Sequence, residues 1–423
     1  MDTTLFSLED WIRYGDELRR PILIHPDLSS SKEIIIVGGG LSGLTIAYRI
    51  GTNRPDVKIT ILEKRSKLGG EIETWTKDDW ICDLAVNASR PHPSVWRLID
   101  DIGLAEKFKS SNPNATKRWI YTKGKMREIN KILMIRIGIK MIMYRTFTKV
   151  RKGGCSVAEL FPIQDFANAM TLGIVNDTAE NVDADFLFPS LTKFGNEPPR
   201  KWRNIKKQIL QSYPIFTPKS GSVASLEGGM ETLTNALIDR INQLDNISVI
   251  LNSELKSPEE IEEKYNHKLS SIIWAAPLHN EREKTKISIF AIGYKNEHVE
   301  SQEIGYGTLI PEPDIPISGI LNESDIHSSN RAPKGHRIFR LMVPNNRWNG
   351  DLQTIERCVK NLISHEEPVI FEFLGEKYIP SYPPGYMSSI NKQKVDFTRV
   401  GWGFSGVSIT HVIAEAERIS EIF

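Results

Sequence analysis

The tightest constraint on this chain is a short apolar run followed at once by glycines. Glu33-Ile-Ile-Ile-Val37 is β-branched and nearly free of polar residues, the pattern of a strand buried on both faces of a parallel sheet. Gly38-Gly39-Gly40-Leu41-Ser42-Gly43 comes next and fits G-x-G-x-x-G, and residues 42–50 read as a helix. A second strand is expected from Val57 to Leu62. Glu63 stands at its end, 20 residues after Gly43. Strand, glycine turn, helix, strand and acid in this order describe a dinucleotide-binding βαβ unit. Gly38 permits the tight turn, Gly40 lets the backbone approach a pyrophosphate, and Gly43 lets the helix pack on the strand. The pyrophosphate would rest on the free N–H groups of the helix N-terminus, and Glu63 would accept from a ribose hydroxyl. A glycine-rich turn without a ligand is the plainer reading, and the full context argues against it.

Composition removes several function classes. The chain has 423 residues, with 54 basic against 53 acidic, so its net charge of +1 argues against a globally basic nucleic-acid binder. A hydrophobic fraction of 40% supplies a large core and excludes wholesale disorder. Cys82, Cys155 and Cys358 form no C-x-x-C pair and no disulfide framework; buried small hydrophobes describe them best. The nine histidines are scattered, so no metal site is expected, and no G-x-S-x-G motif occurs. No apolar run approaches the roughly 20 residues of a membrane span. Asp2, Glu9 and Asp10 make the N-terminus unlike a secretory signal and too acidic for an ordinary transit peptide.

Along the chain, residues 1–32 read as a charged preface ending in the polar linker Asp27–Lys32. Helical patterns occupy 94–102, 156–172 and 230–243. Strands are expected at 246–251, Ser271–Trp274, 285–295 and 336–343. Pro, Lys and Ser are dense over 196–221, as in an exposed connection.

Lys64-Arg-Ser-Lys-Leu-Gly69-Gly70 adds a second glycine pair just after the acid. This resembles the FAD-binding variant of the flavin amine-oxidase superfamily, where the extra glycines let the chain pass close to the flavin side of the dinucleotide. Further segments resemble, in order, those of the protoporphyrinogen oxidase family. They are Asp83-Leu-Ala-Val-Asn-Ala-Ser-Arg90-Pro91, Lys117–Lys125, Ser156–Glu159, Leu172-Gly173-Ile174 with Phe188–Leu191, Leu226–Met230, Gly305–Pro311, Tyr378–Tyr382 with Gly385, and Gly406–Ile409. The resemblance covers about residues 33–420. It implies an α/β fold: an FAD-binding doubly wound, Rossmann-like domain over 33–91, 213–280 and 386–423, a mixed-sheet substrate domain over 281–385, and a helical, membrane-facing insertion over 92–212. Residues 1–32 form an N-terminal extension.

The resemblance also implies chemistry: six-electron oxidation of protoporphyrinogen IX to protoporphyrin IX, hydride passing to flavin N5 and oxygen reoxidising the flavin to peroxide. The protein would supply orientation, an apolar slot and anion recognition. Arg90 matches the family arginine that meets a propionate, and its planar fork suits a carboxylate. Tyr306 and Leu309 match residues on the two faces of the tetrapyrrole. Gly173 and Gly307 match positions where a side chain would obstruct the ring or the flavin. Leu41, Ser42, Lys64, Leu255, Val407, Ser408 and Ile409 join Gly38, Gly40, Gly43, Glu63, Gly69 and Gly70 at the cofactor. No catalytic acid or base stands out. Taken singly, Arg90 could be a surface ion pair, and Tyr306 and Leu309 ordinary strand residues. The sequence departs from the family at Ala85-Val86, where a Gly-Pro loop is usual, at Glu73, where an arginine is usual, and at Glu71, Tyr386 and Lys152–Cys155. An acid at 73 would repel a pyrophosphate unless it is paired or turned away.

Between Lys123 and Lys152 lie ten basic residues and one acid, Glu128, and nine of the twelve residues from Ile132 to Met143 are apolar. With Arg136 and Lys140 on one helical face and Lys131, Arg145 and Lys149 flanking, such a helix could lie in a membrane interface and attract anionic lipid. A core helix with snorkelling lysines is the rival description. The expected partners are a tetrapyrrole, molecular oxygen, a membrane surface at 131–152 and a second copy of the chain, without nucleic acid; the expected location is monotopic, at the mitochondrial inner membrane. Two other functions stay open: an amine oxidase or desaturase sharing the glycine motifs, and a diverged protein that binds a flavin or tetrapyrrole without turnover.

Overall fold

The computed structural model describes residues 20–143, 153–192, 213–219, 221–278 and 283–423. The first 19 residues, Arg145, Lys149, Lys152 and most of the expected connection over 196–221 lie outside them.

A five-stranded, all-parallel sheet carries the nucleotide motif. Its order is Thr398–Arg399, Ile272–Trp274, Glu33–Val37, Lys58–Leu62 and Ile247–Ile250. The apolar run of the central strand serves both faces. Ile34 and Ile36 enter the large core beneath the helices Leu41–Asn53, Pro93–Asp101, Glu231–Ile241 and Ile409–Ser420. Ile35 and Val37 enter a second cluster with Leu62, Ile261 and Trp274 on the other face. Burial on both sides is what an unbroken β-branched run requires.

The second half of the fold is a seven-stranded mixed sheet. Its order is Ile370–Pro380, Lys284–Lys295, His336–Pro344, Gly319–Leu321, Gly307–Leu309, Arg118–Thr122 and Lys125–Glu128. Only the pairing of Gly307–Leu309 with Arg118–Thr122 is parallel. The last two strands come from the stretch expected to be a helical insertion, so that stretch also builds the substrate-side sheet. Gly307 has φ +145°, and a Cβ there would meet Ile320 O of the neighbouring strand, so backbone packing alone demands glycine.

Two expectations need correction. The helix over 156–172 is two helices, Val157–Leu160 and Gln164–Val175. Pro162 divides them: the residue before a proline is driven out of the helical region, and Phe161 stands at φ −107°, ψ 121°. Ser156 and Glu159 form a reciprocal capping box that fixes the start of the first. The preface is also not a mere linker. Leu23 pairs antiparallel with Arg399 at the edge of the parallel sheet, and the buried Arg20 donates to Phe186 O at 2.8 Å. Among the described residues no helix is long and apolar enough to cross a membrane.

Candidate cofactor and substrate site

The glycine turn is held by the acid that follows it. The buried Glu63 accepts the Gly39 N–H at 2.7 Å on Oε2 and the Arg65 N–H at 2.9 Å on Oε1. Gly69 N–H donates to Gly39 O at 2.8 Å, bringing the second glycine pair against the first. A Cβ on Gly43 would strike Gly38 O, so this glycine lets the helix start directly on the turn.

Ser42 stands in the first turn of that helix, whose N-cap, Gly40, offers no side chain. Its Oγ is buried without a hydrogen-bond partner. A buried orphan hydroxyl is costly unless something answers it. A Cβ built on Gly401 would lie 3.9 Å from Ser42 Cβ and 3.8 Å from Ala275 O, so strand end, helix start and C-terminal segment converge here. An orphan donor among free helix N–H groups suits a pyrophosphate, so the residues present fit a dinucleotide.

The unusual acids do not spoil that fit. Lys377 Nζ lies 3.1 Å from Glu71 Oε2 and 2.5 Å from Glu73 Oε2, Lys67 adds a contact of 3.2 Å to Glu73, and Arg65 bonds Glu71. Burial works to raise both carboxyls, but Lys377, helped by Arg65 at Glu71 and by Lys67 at Glu73, holds them below their usual range. Glu73 is therefore paired, the condition under which an acid can stand beside a pyrophosphate.

At the other end, Ser408 caps the C-terminal helix by accepting the His411 N–H at 3.1 Å. Thr410 Oγ1 donates to Arg90 O at 3.3 Å, tying the Arg90 segment to the same helix start. A Cβ on Gly406 would come 2.7 Å from His411 Nδ1 and 2.9 Å from Arg20 Cζ. Burial, with Arg20, Arg90 and His92, holds His411 well below the usual histidine range. Glu415, one helical turn on, accepts the Gly401 N–H at 2.8 Å, and burial lifts its carboxyl to about 8. Sequence reasoning missed Arg20, His92, His411 and Glu415. His92, which follows Arg90-Pro91, and His411, which follows Gly406–Ile409, each had a nearby motif to betray it.

The substrate-side residues meet across the two halves. Tyr306 OH donates to Asn87 Oδ1 at 3.4 Å, and Arg118 Cζ lies 4.4 Å from the Tyr306 ring centroid. A Cβ on Gly173 would come 2.8 Å from a Leu309 methyl, so Gly173 admits Leu309. Asn87 Nδ2 is buried without a hydrogen-bond partner, while Arg90 is exposed. Lys64 is exposed, Val407 packs against the hydrophobic cluster that contains Phe404, and Ile409 lies in the large core. Leu255 packs with Ile35, Val37 and Leu62 on the second face of the parallel sheet.

Residues 36–102 match the family model of the NAD(P)-binding Rossmann-like domain. Protoporphyrinogen oxidase 2 of Arabidopsis thaliana, chloroplastic/mitochondrial, is 23% identical over 93% of this chain and 94% of that protein. Over most of its length the chain is similar to protoporphyrinogen oxidases. The chloroplastic protoporphyrinogen oxidase of Nicotiana tabacum is 33% identical over 97 residues, which span 17% of that protein. A crystal structure described as a protoporphyrinogen oxidase candidate from Exiguobacterium sp. 255-15 superposes with a TM-score of 0.64 at 16% identity, covering 92% of this chain and 98% of that one. The fold is that of the FAD-dependent oxidases, and FAD is the dinucleotide that the relationship assigns to the cradle.

Proposed function

We propose that the protein is an FAD-dependent oxidase that dehydrogenates protoporphyrinogen IX to protoporphyrin IX with oxygen as acceptor. Bound FAD would supply hydride acceptance and reoxidation by oxygen; the macrocycle loses six electrons and six protons while three oxygen molecules become three of hydrogen peroxide. This chain's residues bind and orient. Ser42 and the helix N-terminus hold the pyrophosphate, and Glu63 takes a ribose hydroxyl. Tyr306 and Leu309 offer an aromatic and a branched aliphatic wall to an apolar ring. Arg90, exposed at the rim, offers its fork to a propionate. The observation that carries the reading is the meeting of the Asp83–Arg90 stretch with Tyr306 across the two halves, seen in the 3.4 Å bond to Asn87.

The test is a visible spectrum of the purified protein, followed by anaerobic addition of protoporphyrinogen IX. Near-stoichiometric flavin that bleaches, with protoporphyrin fluorescence appearing, is the expected result. Flavin that stays oxidised with the porphyrinogen but bleaches with amines would hand the site to amine oxidation.

We propose further that the helix Lys131–Met143 rests on an anionic membrane surface, that of the mitochondrial inner membrane on the family resemblance. Its inward face is Ile137 and Met141, 2% and 6% exposed. Ile132, Ile135, Ile142 and Met143 point the other way at 67%, 61%, 70% and 73% exposure, with Arg136 and Lys140 beside them. A core helix would not leave its outer face so bare. Cosedimentation with anionic vesicles at low ionic strength, lost in high salt, is expected; protein left in the supernatant at low salt would refute it.

A further inference from the structure

Behind the loop that follows Asp83, five buried residues form a closed ring. Asp83 Oδ2 lies 3.1 Å from Arg331 Nη1. Arg331 Nη2 lies 3.3 Å from His327 Nδ1, and His327 Nε2 lies 2.9 Å from Glu323 Oε2. Glu323 Oε1 lies 3.0 Å from Arg340 Nε, and Arg340 Nη1 returns to donate to Asp83 O and, at 3.2 Å, to Ala85 O. The charged side chains of the ring are between 0% and 3% exposed.

The proton positions follow from the donors. A guanidinium only donates, so His327 Nδ1 accepts, and Nε2 carries the proton that goes to Glu323. The imidazole is thus neutral, in accord with burial and Arg331 holding it below its usual range. Two carboxylates face two guanidiniums, and the ring is electrically balanced. Asp83, Glu323 and His327 also have the donor set of a metal site, their ligand atoms lying within 4.8 Å of one another. Both acids already face a guanidinium and both imidazole nitrogens are engaged, so a dication would have to displace arginines that have nowhere to go. The metal reading fails.

The ring does have a target. In this chain Ala85-Val86 stands where the family resemblance has Gly-Pro, and a proline fixes its own φ. Ala-Val has no such built-in stiffness. Arg340 takes hold of the carbonyls on either side of Leu84, while Asp83 itself is fixed by Thr74 Oγ1 at 2.6 Å and the Met230 N–H at 2.8 Å. We propose that Arg340 is a positioning residue that locks the Asp83–Asn87 segment against the flavin and the substrate, replacing with a buried guanidinium the stiffness that proline would give. The inference rests on the FAD reading above for the ligand, but not for the lock.

The test uses the full chain. Arg340→Lys keeps the charge but cannot span Glu323 and two carbonyls; the double variant Glu323→Gln with Arg340→Met removes both charges together, so that none is left stranded. Arg337→Lys, beside the ring and paired with Asp325 at 2.8 Å, serves as control. In cofactor-free protein, amide hydrogen exchange over residues 84–90 should rise at least tenfold in both Arg340 variants and stay unchanged in Arg337→Lys. In FAD titrations the dissociation constant should rise about tenfold for the Arg340 variants, with loss of fine structure in the visible flavin band. Unchanged exchange in either folded Arg340 variant, or an equal change in the control, would overturn the inference. Wild-type protein that binds no FAD would refute the cofactor reading and the flavin half of this one, while the exchange data decide the lock separately.

Discussion

The ring of Asp83, Arg331, His327, Glu323 and Arg340 and the cluster of Lys377, Glu71, Glu73, Arg65 and Lys67 use the same chemistry, carboxylates facing cations, in opposite surroundings. The ring's charged side chains are at most 3% exposed; those of the cluster range from 11% to 60%. In the ring every charge has given up water and depends on its neighbour, so each member is worth far more when removed than the pair gained when formed. In the cluster water reaches the outer charges, with Lys377 the least exposed at 11%, and the pairs contribute less to stability than those of the ring. The dry set is therefore suited to fixing a backbone, and the wet set to tuning the potential felt by an anion.

The largest effect should come from breaking the ring at one point. Asp83→Asn removes the carboxylate that faces Arg331, leaves two buried guanidiniums to share Glu323 alone, and should cost about 3–5 kcal/mol in denaturant unfolding. Acid should do the same gradually. Burial raises the Glu323 carboxyl, but Arg340, His327 and Arg331 overcome it and hold it at about 2, against 4.5 when free. Its contribution, of the order of 3 kcal/mol, is full above pH 4.5 and is lost as pH falls towards 2. His327, depressed below 6.5, adds a loss in the same direction, since the unfolded chain takes up a proton that the folded ring refuses. Stability falling from about pH 6.5 downward in the wild type, and much less steeply in Glu323→Gln with Arg340→Met, would support the comparison. Parallel profiles would break it.

The wet cluster should respond differently. Lys377→Met leaves Glu71 and Glu73 with only Arg65 and Lys67. The expected stability change is within about 1 kcal/mol, yet FAD affinity should fall about tenfold at low ionic strength, because two carboxylates then face the pyrophosphate. Added salt should narrow the gap to wild type. A loss as large as that of Asp83→Asn, insensitive to salt, would mean that the cluster is dry in function despite its exposure.

How much of this was legible in the sequence follows the same division. The parallel sheet and its turn are local: Glu33–Val37, Gly38–Gly43, Glu63 and Gly69-Gly70 lie within 40 residues; spacing exposes the reason for the first three, and the family resemblance supplies that for the last. The ring is not local. Asp83 and Arg340 are 257 residues apart, and nothing in the pattern around Glu323 or Arg331 says that they will meet a carbonyl of another segment. Lys377, which answers the two unexpected acids, lies 304 residues from Glu73. Arg118–Thr122 lies in a stretch expected to be a helical insertion, and its place beside Gly307–Leu309 was not legible, because register between distant strands is a tertiary fact. The break at Pro162 was readable from the proline itself and was outweighed by helical periodicity on either side.

The smallest effect belongs to a light contact between the two halves. Tyr306→Phe removes one hydroxyl and the 3.4 Å bond to Asn87 Oδ1, and leaves the ring under the Arg118 guanidinium at 4.4 Å. A neutral hydrogen bond of that length is worth at most about 1 kcal/mol, so the unfolding midpoint should hardly move. If Tyr306 is a wall of the substrate slot, the Phe variant keeps that wall, and only Asn87 loses its orientation. KM for the porphyrinogen should then rise a few-fold with kcat nearly unchanged, the mark of an interaction made equally in ground and transition states. A stability loss rivalling that of Asp83→Asn would instead put Tyr306 and Asn87 among the dry, obligatory contacts. The lock behind the loop and the wall in front of it would then be one device, and the comparison would have to be redrawn between that device and the exposed cluster alone.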